Sequence, residues 1–101
     1  MITKVYQSEN DEEIEMEVLG ILTYFGESSL HGLTNGKNYE VVGIEYGMLR
    51  VVDNEEEDYL YSATNPKSSS EAETTGTWKI VESFDEELTN LLNLKPLDNM
   101  G

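Results

Sequence analysis

Between residues 13 and 18 the chain alternates strictly between acidic and apolar residues, with Ile14, Met16 and Val18 on one face and Glu13, Glu15 and Glu17 on the other. A period of two predicts a half-buried strand. It runs on into Leu-Gly-Ile-Leu-Thr-Tyr-Phe, residues 19–25, where both faces turn apolar and the far end is expected inside the core. Upstream, residues 1–12 are polar and aperiodic, which predicts a flexible acidic arm in which Ile2–Tyr6 has the composition to pair as a short edge strand.

Turn chemistry divides the middle of the chain. Gly26 and Gly32 bracket small polar residues, a loop. Asn35-Gly36 supplies residues that tolerate positive φ, hence a tight turn. Tyr39–Glu45 is a β-branched and aromatic run with Gly43 at its middle, the mark of a bulge or close backbone approach. Tyr46-Gly47 is the next turn, Met48–Val52 a short strand, residues 53–58 another turn and Tyr59–Ala63 another strand. Residues 64–77 hold almost no apolar side chain and predict a mobile loop, because a strand follows at Thr77–Val81 with Trp78 and Ile80 sharing a face.

At residue 83 the period changes. Phe84, Leu88, Leu91 and Leu92 lie at helical spacing, an amphipathic helix over residues 83–94 whose stripe is expected to pack on one end of the strands. Ser83 and Glu86 form an S-x-x-E capping box, and Lys95-Pro96 ends the helix ahead of a disordered tail, residues 95–101. Four or five short antiparallel strands closed by a tryptophan-bearing last strand predict a mainly β protein: a small SH3-like barrel over residues 13–82 with one C-terminal helix. At 101 residues this is one domain, with one modest core.

Residues 32–61 carry Leu33, Thr34, Gly36, Lys37, Tyr39, Glu40 and Val41, then Ile44, Glu45 and Gly47, then Arg50, Val51, Val52 and Asp53, then Glu57, Asp58, Tyr59, Leu60 and Tyr61. This pattern resembles small SH3-like barrel proteins of Gram-positive bacteria and their prophages. The resemblance covers about thirty residues and implies the fold; it implies no activity. One position departs from it. Where those proteins usually carry glycine before Glu-Asp-Tyr, this chain has Glu56, and a glutamate does not take positive φ at glycine's low cost, so a longer or different turn is expected there.

Charge narrows the function. Twenty-one acids against six Lys and Arg give a net charge of −15. Such a chain repels phosphate backbones and anionic lipid, so direct nucleic-acid or membrane binding is not expected. Cysteine is absent, which removes disulfides and thiolate metal sites and fits the cytoplasm. The opening residues resemble no secretory signal, and the longest apolar stretch, residues 18–26, is far short of a membrane span.

Little here supports catalysis. His31, the single histidine, sits in a loop near Ser28 and Ser29 without the spacing of a Ser-His relay, and cannot make a zinc site alone. Asp53 to Asp58 packs five acids into six positions, but counted as a calcium loop it places Asp58 at position 6 and Thr64 at position 12, where Gly and Glu are needed. No P-loop and no cleft-forming carboxylate pair appear. No enzyme activity, cofactor or metal is expected.

The acid run reads either as a solvated turn or as a patch for a basic partner. The tyrosines read either as core or as a binding face, since aromatic grooves on small barrels accept peptides. Arg50 is expected to pair with a nearby carboxylate. The expected interaction site comprises Asp53, Glu55, Glu56, Glu57, Asp58, Tyr59, Tyr61 and Tyr46. Its partner would be a basic protein surface, that of a nucleic-acid-handling enzyme or toxin among the candidates, met by a monomer or homodimer. The alternative is a phage- or toxin-system inhibitor, an anti-defence or immunity protein covering a basic nucleic-acid site by charge mimicry.

Self-repulsion at this net charge weakens the folded state most at low ionic strength. The urea midpoint should rise between about 10 mM and about 150 mM NaCl, as the Debye length shortens from about 30 to about 8 Å. A midpoint that stays flat or falls would show that the acids do not oppose folding.

Overall fold

The computed structural model describes residues 1–93; the last expected helical residue, the Lys95-Pro96 stop and the expected tail lie outside the described residues. The alternation seen in the sequence is realised as antiparallel strands. β1 (Ile2–Gln7) and β2 (Glu12–Glu17) pair with each other. β3 (Gly20–Phe25), β4 (Asn38–Glu45), β5 (Met48–Val52), β6 (Asp58–Ser62) and β7 (Thr77–Ser83) form one sheet in the order β6-β5-β4-β3-β7, and α1 (Glu86–Leu92) follows. The protein is mainly β with one short helix.

Residues 1–12 are not a loose arm. Val5 sits opposite Ile14 and is fully buried, and Lys4 sits opposite Glu15, so the alternating acidic strand finds its partner in the segment just before it. Nor does one strand run from residue 13 to residue 25. Val18 N donates to Met1 O, whereas Leu19 N donates to Val41 O and Leu19 O accepts from Phe84 N. The chain changes sheets between these two residues, and most of β2 stays exposed instead of half-buried.

The five-stranded sheet is open, not a closed barrel. Among the described residues β6 and β7 are its two edges and share no ladder. They approach at one end, where Trp78 Nε1 donates to Ser62 O at 2.9 Å. The segment joining them packs in at that end, with Ala63, Pro66, Ser68 and Ala72 buried. The expected mobile loop is therefore fastened down. Leu33 N donates to Ser68 O, Gly76 N to Pro66 O, and Glu27 Oε1 accepts from the amides of Glu73 and Thr74 and from the Thr74 hydroxyl.

The core gathers Leu22 and Tyr24 of β3, Tyr39 and Val41 of β4, and Leu49 and Val51 of β5, with Leu33 and Leu88 closing it. Tyr24 and Trp78 meet edge to face, centroids 5.7 Å apart. Gly43 marks a bulge, as its position in the run predicts: the register with β5 shifts between Val41 and Gly43. Gly20 has a packing role, because a Cβ there would lie 2.5 Å from Leu88 Cδ2. The helix seats on that gap, and burying one such leucine contributes about 1.5–3 kcal/mol.

The helix begins later than the Ser83 capping box predicts. β7 runs through Ser83 and Phe84 N still bonds to Leu19 O, so Asp85 becomes the N-cap, its side chain accepting from Leu88 N. Phe84 is left outside the helix, half-exposed.

Glu56 does what glycine would have done. It takes φ 64°, with its N–H bonded to Asp53 O and Asp53 N bonded to Glu57 O, a type I turn followed by a left-handed residue. No longer turn was needed; the backbone at Glu56 bears the strain instead. Left-handed backbone costs a non-glycine residue about 1–2 kcal/mol, and glycine returns about 0.5–1 of that as unfolded-state entropy. Glu56→Gly should therefore stabilise the protein by about 1 kcal/mol in urea unfolding at fixed salt, and a destabilised variant would show that the Glu56 side chain supports the turn.

Candidate functional site

The acid run turns on its own side chains. Asp53 is only 6% exposed; Oδ1 accepts from Glu55 N at 2.9 Å and Oδ2 from Tyr61 OH at 2.8 Å. Burial pushes the Asp53 carboxyl above its ordinary value of 3.8, those two hydrogen bonds pull it partly back, and the charges of Glu55 and Glu57 push it up again. Burial, followed by the bond to Asp53 and its charge, drives the Tyr61 phenol well above its ordinary value. Both residues hold the turn together.

Asn54 ties that turn to the rest of the fold. Its Nδ2 donates to Ser29 O and Thr34 Oγ1, both at 3.0 Å, and its Oδ1 accepts from Tyr39 OH at 2.7 Å and Lys37 Nζ at 3.1 Å. Its backbone N–H reaches Gly32 O at 2.9 Å.

The end of the acid run receives the first hairpin. Tyr6 N donates to Glu56 O at 3.1 Å, Ser8 Oγ to Glu57 Oε1 at 3.0 Å, and Gln7 Nε2 to Asp58 Oδ1 at 2.9 Å. Arg50 pairs as its lone positive charge predicts. It grips Glu45 through two bonds of 3.0 and 2.9 Å and reaches Asp58 Oδ2 at 3.4 Å, and this grip holds the Glu45 carboxyl below its ordinary range. Glu55 and Glu56 are exposed, Glu55 with Oε2 2.9 Å from His31 Nδ1. Of the five acids, these two face solvent most freely.

The tyrosines divide. Tyr24 and Tyr39 are core and Tyr61 is half-buried, whereas Tyr59 is 44% and Tyr46 96% exposed. Tyr59 follows the acid turn directly in β6, and its phenol is pushed up by partial desolvation and then by the charges of Glu57, Glu55 and Asp53. Tyr46 stands apart from them. It occupies the β4–β5 turn at φ 55° next to Gly47 at φ 75°, a type I′ hairpin, at the opposite end of β5 from the acid run. Five residues of strand, about 17 Å, separate the two ends.

A groove of about 420 Å³ bridges part of that distance along the outer edge of β6, between Met48 and Tyr59, with Lys67, Ser69 and Ser70 as its far wall. Leu60, exposed on that edge, and Lys67 join the site although neither was among the expected residues. The Tyr-Leu-Tyr alternation foretold the strand, but not that its outer side would stay unpaired.

Among the described residues no group of three or more His, Asp or Glu could hold a metal ion, and no helix is long and apolar enough to cross a membrane. Compared with protein-family models, curated proteins and solved structures, the chain matches none.

Because the folded-state pKa of Asp53 is raised, the folded state binds its proton more tightly than the unfolded chain does. Its ionisation therefore costs nothing below its ordinary 3.8 and opposes folding increasingly as pH climbs through the raised value. Asp53→Asn keeps the acceptor for Glu55 N and removes the charge, so the variant should gain on the parent between about pH 3.5 and pH 7, measured as the difference in urea midpoints. A difference that is flat with pH, or that shrinks, would place the buried charge in a better-compensated setting.

Proposed function

We propose that the chain is a non-enzymatic, cytoplasmic, acidic protein-interaction module, which meets its partner along β6. The observation carrying this reading is the aromatic and aliphatic edge, with Tyr59 and Leu60 exposed beside a groove and Tyr46 exposed on the turn that precedes Met48 of its lining. Tyrosine suits such a surface, with an apolar ring to bury and a hydroxyl to bond. Glu55 and Glu56 border the edge on one side, and the net charge favours a partner with basic surroundings, whose approach the field would accelerate. Asp53, Glu57, Asp58 and Tyr61 then act as the scaffold of the site more than as its contacts.

A second reading, an inhibitor that covers a basic nucleic-acid site, is favoured by β2. Glu13, Glu15 and Glu17 are all exposed on one face of that strand, spaced by about 7 Å as alternate strand residues are. A regular row of charge on a hairpin can occupy a groove built for phosphates.

Capture from the lysate of a Gram-positive host, followed by titration calorimetry with the retained protein, separates the two. Tyr46→Ala with Tyr59→Ala should weaken an edge-bound partner at least tenfold, since each exposed tyrosine anchor contributes more than about 1 kcal/mol. Neutralising Glu13, Glu15 and Glu17 to Gln should leave that partner's affinity within about twofold. The reverse pattern, with affinity falling steeply as salt rises, identifies the charge mimic; a partner indifferent to both sets removes β6 and β2 alike from the function.

A further inference from the structure

The two edges of the five-stranded sheet are finished differently. On β7 the register with β3 slips between Ile21 and Leu22, so the strand carries a bulge, and Lys79 and Glu82 stand exposed along it. Bulges and edge charges are how sheets avoid pairing with other chains. β6 has neither. Its register with β5 runs unbroken from Val52↔Asp58 to Met48↔Ser62, its centre is Tyr-Leu-Tyr, and among the described residues no strand lies on its outer side. Trp78 and Arg50 reach the carbonyls of Ser62 and Asp58, the two ends of the strand, and leave its middle untouched.

The groove beside that edge is also an electrostatic exception. In a chain with 21 acids its lining holds no carboxylate and one cation, Lys67. The acids return on both sides: Glu55 and Glu56 lie exposed before β6, and Glu71 and Glu73 lie exposed just past the Ser69–Ser70 wall.

We propose that this groove is a strand-addition site, where an extended, uncharged apolar segment of a partner protein pairs with the free edge of β6 while basic residues flank the segment. The inference rests on the interaction-module reading and specifies its mode. The backbone of the segment completes the ladder that β6 offers, and its alternate side chains lie against Tyr59 and Tyr61. Five residues match the length of β6, about 17 Å. Charge argues for this occupant: an uncharged centre suits the acid-free lining, and lysine or arginine on either side meets the bordering carboxylates. A second copy fits badly, since it would bring the same acids against themselves.

The probe is a synthetic peptide, Val-Thr-Val-Thr-Val with two lysines at each end, titrated into the full chain labelled with 15N. Expected are shifts of the Tyr59–Ser62 amides and slower exchange along β6. N-methylation of alternate backbone nitrogens should weaken binding at least tenfold in one register and less than about twofold in the other, because only every second residue of an added strand faces β6. Glutamate in place of the flanking lysines should also cost at least tenfold, and Leu60→Lys, which charges the edge, should abolish binding while circular dichroism stays unchanged.

Equal loss in both methylation registers, or β6 amides unmoved at millimolar peptide, overturns strand addition. Self-association of the free protein that Leu60→Lys removes would name a second copy as the occupant and overturn the proposal too. If the peptide fails while the captured partner still depends on Tyr46 and Tyr59, only the mode of binding falls. If that dependence is also lost, the interaction reading falls with it.

Discussion

One uncharged side chain inside the acid turn, Asn54, ties it to the rest of the fold. Two carboxylates about 7 Å apart in water repel by about 0.6 kcal/mol before screening, and five of them crowd residues 53–58. Asn54 offsets this by using both ends of its amide at once. Its donors bind the 28–34 loop, and its acceptor binds Tyr39 of β4 and Lys37 just before that strand. No aspartate could replace it, since a carboxylate would set its oxygens against Ser29 O. A partly buried network of this kind is stable only when every member is satisfied, and through it the turn, the loop and the core tyrosine share one geometry.

The same economy recurs wherever an acid meets backbone or side-chain donors. Glu27 collects three donors from Glu73 and Thr74 and so anchors a long loop that has few apolar side chains to anchor it. Those bonds hold its carboxyl below the ordinary range, with Thr74 the main cause. Glu57 and Asp58 take donors from the first hairpin in the same way. A high acid content therefore supplies acceptors for irregular segments as well as repulsion.

Period and turn chemistry made most of the five-stranded sheet legible. The Tyr46-Gly47 hairpin, the bulge at Gly43 and the Trp78–Ile80 face all follow from local pattern. What escaped is what local pattern does not encode. Glu13–Val18 alternates as a half-buried strand does, yet whether it joins the main sheet or folds back on residues 2–7 depends on hydrogen bonds made at Val18 and Leu19 with distant strands. Ser83-x-x-Glu86 is a sound capping box, overridden because β7 needed Ser83. Loop 64–77 looked mobile for want of apolar residues, but its fastening by Glu27 is a contact across 46 and 47 positions. At the candidate site the aromatic residues could be named from the sequence, whereas the separation of Tyr46 from the acid turn, and the open side of β6, needed the register.

Two strained residues point in different directions. Glu56 and Tyr46 both hold left-handed backbone where glycine or asparagine would sit at lower cost. At Glu56 the surrounding structure accounts for the strain, since its carbonyl receives Tyr6 N and its own N–H closes the turn. At Tyr46 no such return is visible. The ring is 96% exposed, so it adds no burial to the fold, and the turn itself requires only the backbone angles. Strain that folding does not repay is an observation from which function can be argued, not the reverse. That unrepaid strain is the reason to count Tyr46 with the proposed interaction edge: its turn closes on Glu45 and Met48, and Met48 pairs with Ser62 at the end of β6.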